Sequence, residues 1–589
     1  MQALLALHRE MSPVRRRQLL LVLAVMLLGG FADLVTIGAV LPFLALLADP
    51  GRADQWPRLA EFLAFAGGGP IVGASLLLAS AAVVAALVKM WLTWLSERFV
   101  MDLGRDISTA MFGRMLRQPY LVHVRRNSSE ILSGMEKIRT VIFGILQPGM
   151  QGGIAAAIAV LIVALLLLID AFAVLVAATF VAAAYGGVTL ATRRRLSRNS
   201  VVIAEASTAR TQLVQESLGG IRDILLDRSQ PYFEERFALL ENQVRQTQSI
   251  NASIRAMPRF LVESSAIVAL VLVTLVINMR PGGLVEAIPV LGALALGAQR
   301  LLPLVQQAYT GWASVTGNVQ SLLDVLALLD EPAAPPGRAA ARAPEAPAFD
   351  NEVRFDRVSF RYGDEGDALC GISLVIPKGI RLGIAGATGS GKSTFLDLLM
   401  GLLDPKDGEI LIDGIPLDGA MREHWQARLA HVPQNIYLAD DSVAGNIAFG
   451  EAAEAIDMER IEQAARIAHA DAFIRALPRG YRTRVGERGS RLSGGERQRI
   501  GLARALYRQA DVLILDEATS ALDTATEAAV LDSIAALGPD LTCILVAHRE
   551  TALSRCDRIV RLERRIAGAG VYETVIREDP PTGQHVRHG

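Results

Sequence analysis

At 589 residues the chain is too long for one hydrophobic core. It is 51% hydrophobic and 5% aromatic, with a mean hydropathy of +0.34, and the apolar excess lies before about Leu329. Lys and Arg number 59 against 60 Asp and Glu, a net charge of −1, which gives no bulk-charge basis for a nucleic-acid partner and leaves the placement of positive charge as the informative quantity.

From the N-terminus, Met1 to Glu10 is short and mildly amphipathic and precedes Arg15, Arg16 and Arg17. The apolar stretch Leu19 to Ala48 is too long for a signal-peptide core and lacks a clear small-residue cleavage site, so it predicts a retained spanning helix. Further apolar stretches centre on Ile71 to Leu95, Val141 to Ile169, Ala171 to Ala191, Phe260 to Met279 and Val285 to Tyr309, which makes six spans. Pro42, Gly152, Gly153 and Pro303 interrupt them, tolerable where neighbouring helices satisfy the freed backbone.

Positive charge sets the expected orientation. Arg98 to Arg139 holds eight Lys/Arg and Arg193 to Arg259 eleven, against two in Asp49 to Pro70, none at Asp170 and one in Arg280 to Glu286. Both termini and the two long connections are therefore expected on the cytoplasmic side. RDISTAMFGRMLRQP and ARTQLVQESLGGIRDILLD are helix-like, so the spans are expected to continue beyond the bilayer as hairpins. In the outer connection, WPRLAEFLAF puts Trp56, Leu59, Phe62 and Leu63 near one face: either a loop helix packed on the spans or one lying in the outer interface.

Charged side chains within spans cost several kcal/mol in hydrocarbon unless they face water or a partner. At 1.5 Å per residue Lys89 falls roughly 27 Å and Arg300 roughly 22 Å below the outer start of their spans, and Arg259 sits where the fifth span leaves the cytoplasm. These three cations either snorkel or pair with Asp33 and Glu263, or they form a wall for an anionic ligand such as a phosphate or pyrophosphate group. Arg300 fits the second reading best, beside Gln299 and two turns before Gln306 and Gln307.

Glu331 to Pro347 is Pro/Ala-rich and reads as a tether, dividing a membrane domain (1–329) from a soluble domain (351–566) through a linker (330–350), with a tail at 567–589. The soluble part resumes in short strand-like runs, with Tyr362 available for a base to stack on. Gly386 to Thr394, GATGSGKST, fits GxxxxGK[ST] between an apolar run and a helical pattern. Gly386, Gly389 and Gly391 let the N–H groups of a loop that includes Thr388 and Ser390 curl into an anion nest, and the following helix points its positive end at the same spot. Lys392 can reach phosphate oxygens and Ser393 can ligate the Mg²⁺ that bridges them. DVLILDEATS ends an apolar strand in Asp516, able to hold Mg²⁺ through water, and Glu517, placed to orient or deprotonate an attacking water. His548 ends a later strand within reach of a γ-phosphate, and Gln434 is placed to touch metal and water. RLSGGERQR offers a second glycine-rich helix start with no phosphate loop of its own, which makes sense if it completes the site of another copy. Cys370, Cys543 and Cys556 lie in this part without metal-ligand spacing and read as reduced structural thiols.

Taken in the order Tyr362, Gly386 to Thr394, Gln434, LSGGE at Leu492 to Glu496, Asp516 with Glu517, SALD at Ser520 to Asp523, and His548, the soluble part resembles an ABC-transporter nucleotide-binding domain over about Val353 to Arg564. With six preceding spans the chain is similar to the exporter (type IV) half-transporters: a membrane all-α six-helix domain plus an α/β P-loop NTPase domain. TRVGERGS at Thr483 to Ser490 resembles the exporter segment that meets the coupling helices, and Glu496 stands where glutamine is usual. The resemblance implies head-to-tail homodimers with ATP between Lys392 of one copy and Ser493, Gly494 and Gly495 of the other, and Asp523 nearby. FADLVTIGAVLPFLALLADP, RAMPRFLVES and HVPQNIYLADDSVAGNIAFG are most similar, within the family, to bacterial flippases of lipid-linked oligosaccharides. Export of peptides, lipid A-like glycolipids or drugs is the alternative. A regulatory or channel-like subunit is disfavoured because Glu517 and Ser493 are both present.

Overall fold

The structure, a computed structural model, describes residues 9, 11–48, 70–169, 171–278, 283–330, 349–363, 368–547, 549–568 and 571–579. The Trp56 segment, the Pro/Ala-rich tether at 331–348, His548 and residues 580–589 of the tail lie outside the described residues. The chain divides into two compact units, Met1–Gln118 with Arg125–Ala334, and Pro119–Val124 with Pro335–Gly589.

The described part of the first unit is helical: α1 (Pro13–Ala48) and α2 (Pro70–Leu116); then, after the short helix α3 (Tyr120–Arg125), α4 (Ser128–Val141), which passes through a π turn at Ile142–Leu146 into α5 (Gln147–Ile169); then α6 (Ala171–Gly219), α7 (Ile221–Leu226), α8 (Gln230–Asn278) and α9 (Gly283–Asp330). The six apolar stretches thus fall on helical segments wherever they are described, the third passing from the end of α4 through the π turn into α5 and the fifth described as far as Asn278. Among the described residues, four segments are long and apolar enough to cross a membrane: Pro13–Val40, Ile71–Leu116, Ser129–Leu168 and Val174–Gly219. The apolar window on α2 has a mean hydropathy of 2.5 yet is only 17% buried within the unit. Leu87, Trp91, Leu168 and Leu190 point outward, an arrangement that hydrocarbon solvates and water does not. The 49 residues of α6 reach roughly 73 Å at 1.5 Å each, far beyond a ~30 Å hydrocarbon layer.

Helices pair as α1 with α2, α5 with α9 and α6 with α8. At the α5–α9 contact a Cβ on Gly311 would lie 2.4 Å from the Pro148 carbonyl oxygen and 2.9 Å from the Gly152 Cα, so only glycine lets these backbones approach. Arg15, buried, ties α1 to α2 through Asp102 (2.9 Å) and Asp106 (2.7 Å).

The second unit has two sheets. β1 (Glu352–Phe360), β2 (Leu369–Pro377), β4 (Asp407–Ile412) and β5 (Ile415–Pro416) form an antiparallel sheet in the order β2-β1-β4-β5. The other runs β10-β9-β3-β8-β7-β6, with β3 (Arg381–Gly386), β6 (Leu429–Val432), β7 (Val512–Asp516), β8 (Thr542–Val546) and β9 (Arg558–Gly568) parallel and β10 (Val571–Asp579) antiparallel at the edge. A parallel strand buried on both faces reads as an unbroken apolar run. Accordingly Val512 and Ile514 enter one core with Trp425 and Phe395, while Leu513 and Leu515 enter the other with Ile500 and Val530. Leu121, from the short segment that belongs with this unit, packs on the first of these cores.

Candidate functional site

In a parallel sheet, ligands bind beyond the carboxyl ends of the strands. β3 ends in the glycine-rich loop and β7 in Asp516, with β8 between them. After the loop, Gly391 at φ +95° opens the helix α10 (Lys392–Leu399), whose first N–H groups face the loop. Lys392 is buried and its Nζ donates to the carbonyl oxygens of Gly386 (2.8 Å) and Ala387 (3.1 Å), holding the ammonium over the turn. Ser393 is exposed, and the buried Thr394 shares a hydrogen bond with the Tyr362 hydroxyl at 3.2 Å. The Tyr362 ring stands edge-on to Phe360 at 5.0 Å. A Cβ on Gly386 would meet Ser390 Oγ at 2.5 Å and the Leu562 carbonyl oxygen at 2.6 Å, so the turn is already closed to its limit. Buried Ser390 Oγ has no hydrogen-bond partner among the described residues, a donor the fold itself leaves unused inside the turn.

Across from the loop, Gln434 follows β6 and donates from Nε2 to Glu517 Oε2 at 2.6 Å. Glu517 sits at φ +49°, a left-handed turn for a side chain other than glycine, which aims its carboxylate out of the strand line. Burial, and next the neighbouring Glu517 charge, hold the Asp516 pKa above its ordinary value against the pull of Lys392. Among the described residues no group of three or more His, Cys, Asp or Glu is placed to hold a metal. Ser393, Asp516 and Gln434 instead offer a few hard oxygens, the donor set suited to a Mg²⁺ that keeps water and phosphate as its other ligands.

Asp397, on α10, faces the same region, and burial, reinforced by the Asp516 charge, pushes its pKa from 3.8 to about 6. Between those values the folded chain holds more protons on this group than the unfolded one does, so its contribution to stability falls as pH rises through the window, with the full penalty above it. Asp397→Asn is therefore expected to melt higher than the parent at pH 7.5, with the gain fading below about pH 4. A gain equal at both pH values contradicts this.

Ser493 starts the helix α15 (Gly494–Tyr507), which follows α11 (Gly419–Ala427), α12 (Val443–Ile447), α13 (Met458–Ile467) and α14 (Asp471–Ala476). It does so through a capping box: Glu496 N donates to Ser493 Oγ (3.3 Å), while Ser493 N and Oγ both donate to Glu496 Oε2 (2.8 Å each). The Glu496 carboxylate thus accepts two hydrogen bonds from the serine. Asp523 is likewise a cap, accepting from the N–H groups of Ala525 (3.1 Å) and Thr526 (3.0 Å).

The structure thus gathers Tyr362, the Gly386–Thr394 loop, Gln434, Asp516 and Glu517, while Ser493 stands exposed at the start of α15. Lys89 and Arg300, in the first unit, both contact Asp33, and Arg259 pairs with Glu263 at 2.7 Å. Arg259 and Glu263 line a cavity of about 390 Å³ with Gln306, Gln307, Gln151 and Tyr185. Sequence reading did not single out Gln498, whose amide oxygen accepts from Ala521 N (2.9 Å) and whose Nε2 donates to Ser520 Oγ (3.2 Å). It also passed over Glu527, buried between Thr519 (2.6 Å) and Arg549 (3.2 Å). These contacts fix the turn after Glu517 from residues distant in sequence.

Residues 369–520 match the family "ABC transporter", and residues 19–284 match "ABC transporter transmembrane region". An ATP-dependent lipid A-core flippase of Chromohalobacter salexigens is 33% identical over 397 residues, 66% of this chain and 66% of that protein. The flippase of the same description from Cupriavidus pinatubonensis is 32% identical over 65% of this chain and 64% of its own length. That from Cupriavidus metallidurans is 30% identical over 79% of this chain and 78% of its own. The chain spans just under two thirds of the length of the first two of these relatives. Among solved structures, a bacterial Atm1-family ABC exporter with ATP bound superposes with a TM-score of 0.73 at 24% identity over 94% of each chain.

Proposed function

The chain belongs to the ABC transporter family, with the fold of an exporter half-transporter, and from that premise we propose that it hydrolyses ATP to move an anionic lipid outward across a bacterial inner membrane. The observation that carries the ATPase reading is the 2.6 Å contact of Gln434 with Glu517 beside Asp516, facing a lysine-bearing nest across one sheet edge. In this reading the loop amides and Lys392 hold the β and γ phosphates, and Tyr362 takes the base. Ser393, Gln434 and Asp516 hold Mg²⁺, which when bound neutralises phosphate charge. Glu517 orients the attacking water and takes its proton, and His548 contacts the γ-phosphate. Ser493, Gly494, Gly495 and Asp523 face a second copy of the chain, which completes each site. The Lys/Arg bias of Arg98 to Arg139 and Arg193 to Arg259 supports a cytoplasmic nucleotide domain and cytoplasmic termini.

For the substrate, the relatives are described as lipid A-core flippases, which favours a phosphorylated glycolipid of the lipid A kind over the polyprenyl-pyrophosphate oligosaccharide expected from sequence. Both present phosphate to Lys89, Arg259 and Arg300. Nanodisc-embedded protein is expected to release phosphate from ATP several-fold faster with diphosphorylated lipid A than with neutral lipid alone. Stimulation by a polyprenyl-pyrophosphate sugar only would move the substrate to that class, and turnover indifferent to both overturns the lipid reading.

A further inference from the structure

Asp33 is the most buried ionisable side chain described in the first unit, 1% exposed in the middle of α1 and roughly 27 Å along that helix from Arg15. Its Oδ1 receives Lys89 Nζ from α2 and Arg300 Nη1 from α9, each at 2.7 Å. Its Oδ2 is buried without a hydrogen-bond partner among the described residues. The burial is lopsided: the Lys89 and Arg300 side chains are 44% and 39% exposed. One carboxylate therefore serves two cations, the trio carries a net +1, and the charge that reaches open space is positive. A Lys ammonium has three donors and an Arg guanidinium five, and Asp33 accepts one from each. The remaining donors and the excess charge favour a further anion, and they favour one of more than one negative charge over one of a single charge.

We propose that Asp33 is an internal stand-in for the substrate headgroup: it holds Lys89 and Arg300 together, and a phosphate ester entering from the exposed side takes both cations from it. This inference rests on the proposed transport of an anionic lipid. Phosphate suits the displacement because its oxygens meet both cations at once and carry more charge than one carboxylate. Removing the partners of a buried charge is strongly unfavourable, so Asp33 does not stay where it is once its cations turn to the ligand. Since the three side chains come from α1, α2 and α9, loss of the shared carboxylate unties these helices from one another. Headgroup binding is thereby coupled to a helix rearrangement through one side chain.

The test is a set of dissociation constants for detergent-solubilised full-length protein with three probes: diphosphorylated lipid A, a polyprenyl pyrophosphate, and the uncharged polyprenol. Asp33→Asn removes the competitor and is expected to tighten binding of the phosphorylated probes about tenfold, or about 1.4 kcal/mol, with no change for the polyprenol. Tightening for lipid A alone, or for the pyrophosphate alone, identifies the headgroup. Unchanged or weaker binding by Asp33→Asn overturns the proposal. Should Asp33→Asn fail to fold with two unbalanced cations, Asp33→Asn with Lys89→Gln restores the net charge of the trio. It must then bind the phosphorylated probes more tightly than Lys89→Gln alone, and equality between the two overturns the proposal equally. Lys89→Gln and Arg300→Gln keep the two readings apart. If they weaken phosphate binding while loss of Asp33 does not strengthen it, the cations serve the lipid and only the stand-in fails. If neither changes binding, the anionic-lipid reading itself fails at this site.

Discussion

Glu517→Gln is expected to lower ATP turnover by a hundredfold or more while leaving nucleotide affinity intact. The amide has the size of the carboxylate and can keep contact with Gln434, which now lies 2.6 Å from Glu517 Oε2. The left-handed backbone at residue 517 and the hydrogen bond from its N–H to the Val546 carbonyl oxygen do not depend on the side-chain charge. What the variant loses is a group that can take a proton, and a positioned general base contributes typically 10²–10⁴-fold. With cleavage blocked and both faces of the site intact, ATP is expected to hold two copies together, visible as an ATP-dependent dimer of nucleotide domains. Phosphate release within about tenfold of the parent would remove Glu517 from the role of base. Loss of ATP binding along with turnover would instead make the residue structural.

How much of this could be read from the chain alone depends on the sequence distance over which each feature is encoded. The phosphate loop is nine consecutive residues whose glycines, lysine and hydroxyls carry their own geometry, so Gly386 to Thr394 was legible at once. Asp516 and Glu517 were legible because an apolar strand ends in them. The Ser493 cap is also local, since a serine followed three residues later by glutamate states a capping box, and the structure adds that the serine hydroxyl and N–H both bond to Glu496. In contrast, the Gln434–Glu517 contact joins residues 83 apart, and Glu527 reads in sequence as one more acidic residue in the first turn of a helix. Only tertiary packing sets it between Thr519 and Arg549.

The membrane part shows the same limit. Hydropathy and charge mark six apolar stretches, helical wherever they are described, because a spanning helix states its own solvent in its composition. The pairing of Lys89 with Asp33 was weighed from sequence, but hydropathy cannot say that Arg300, 267 residues from Asp33, reaches the same oxygen atom. Nor does the six-residue helix at Tyr120 announce that Pro119–Val124 belongs with the second unit. Its Leu121 packs there on a core assembled from strands more than two hundred residues later.

The loop also allows a graded experiment, and here the expected loss is as large as for the base. Gly389 and Gly391 both adopt left-handed backbone, at φ +81° and +95°, so an added Cβ strains either by about 1–2 kcal/mol. Their surroundings differ. At Gly389 nothing lies within 4 Å of the new atom, whereas at Gly391 it would stand 2.5 Å from Leu369 Cδ2 and 2.9 Å from the Ala368 carbonyl oxygen. Leu369 is fully buried, on a strand paired with β1, and has no room to retreat. In Gly391→Ala the overlap therefore has to be relieved by the loop, which carries the start of α10 and the Lys392 ammonium away from the nest. ATP binding, measured by fluorescent-nucleotide titration at matched thermal stability, should fall more than a hundredfold in Gly391→Ala and by about tenfold in Gly389→Ala. Gly389→Asn should lose less still, because asparagine tolerates this backbone region. If Gly389→Ala proved the more damaging of the two alanine variants, the loop would be limited by its tip, and the closure against Leu369 would not be what holds the phosphate nest in shape.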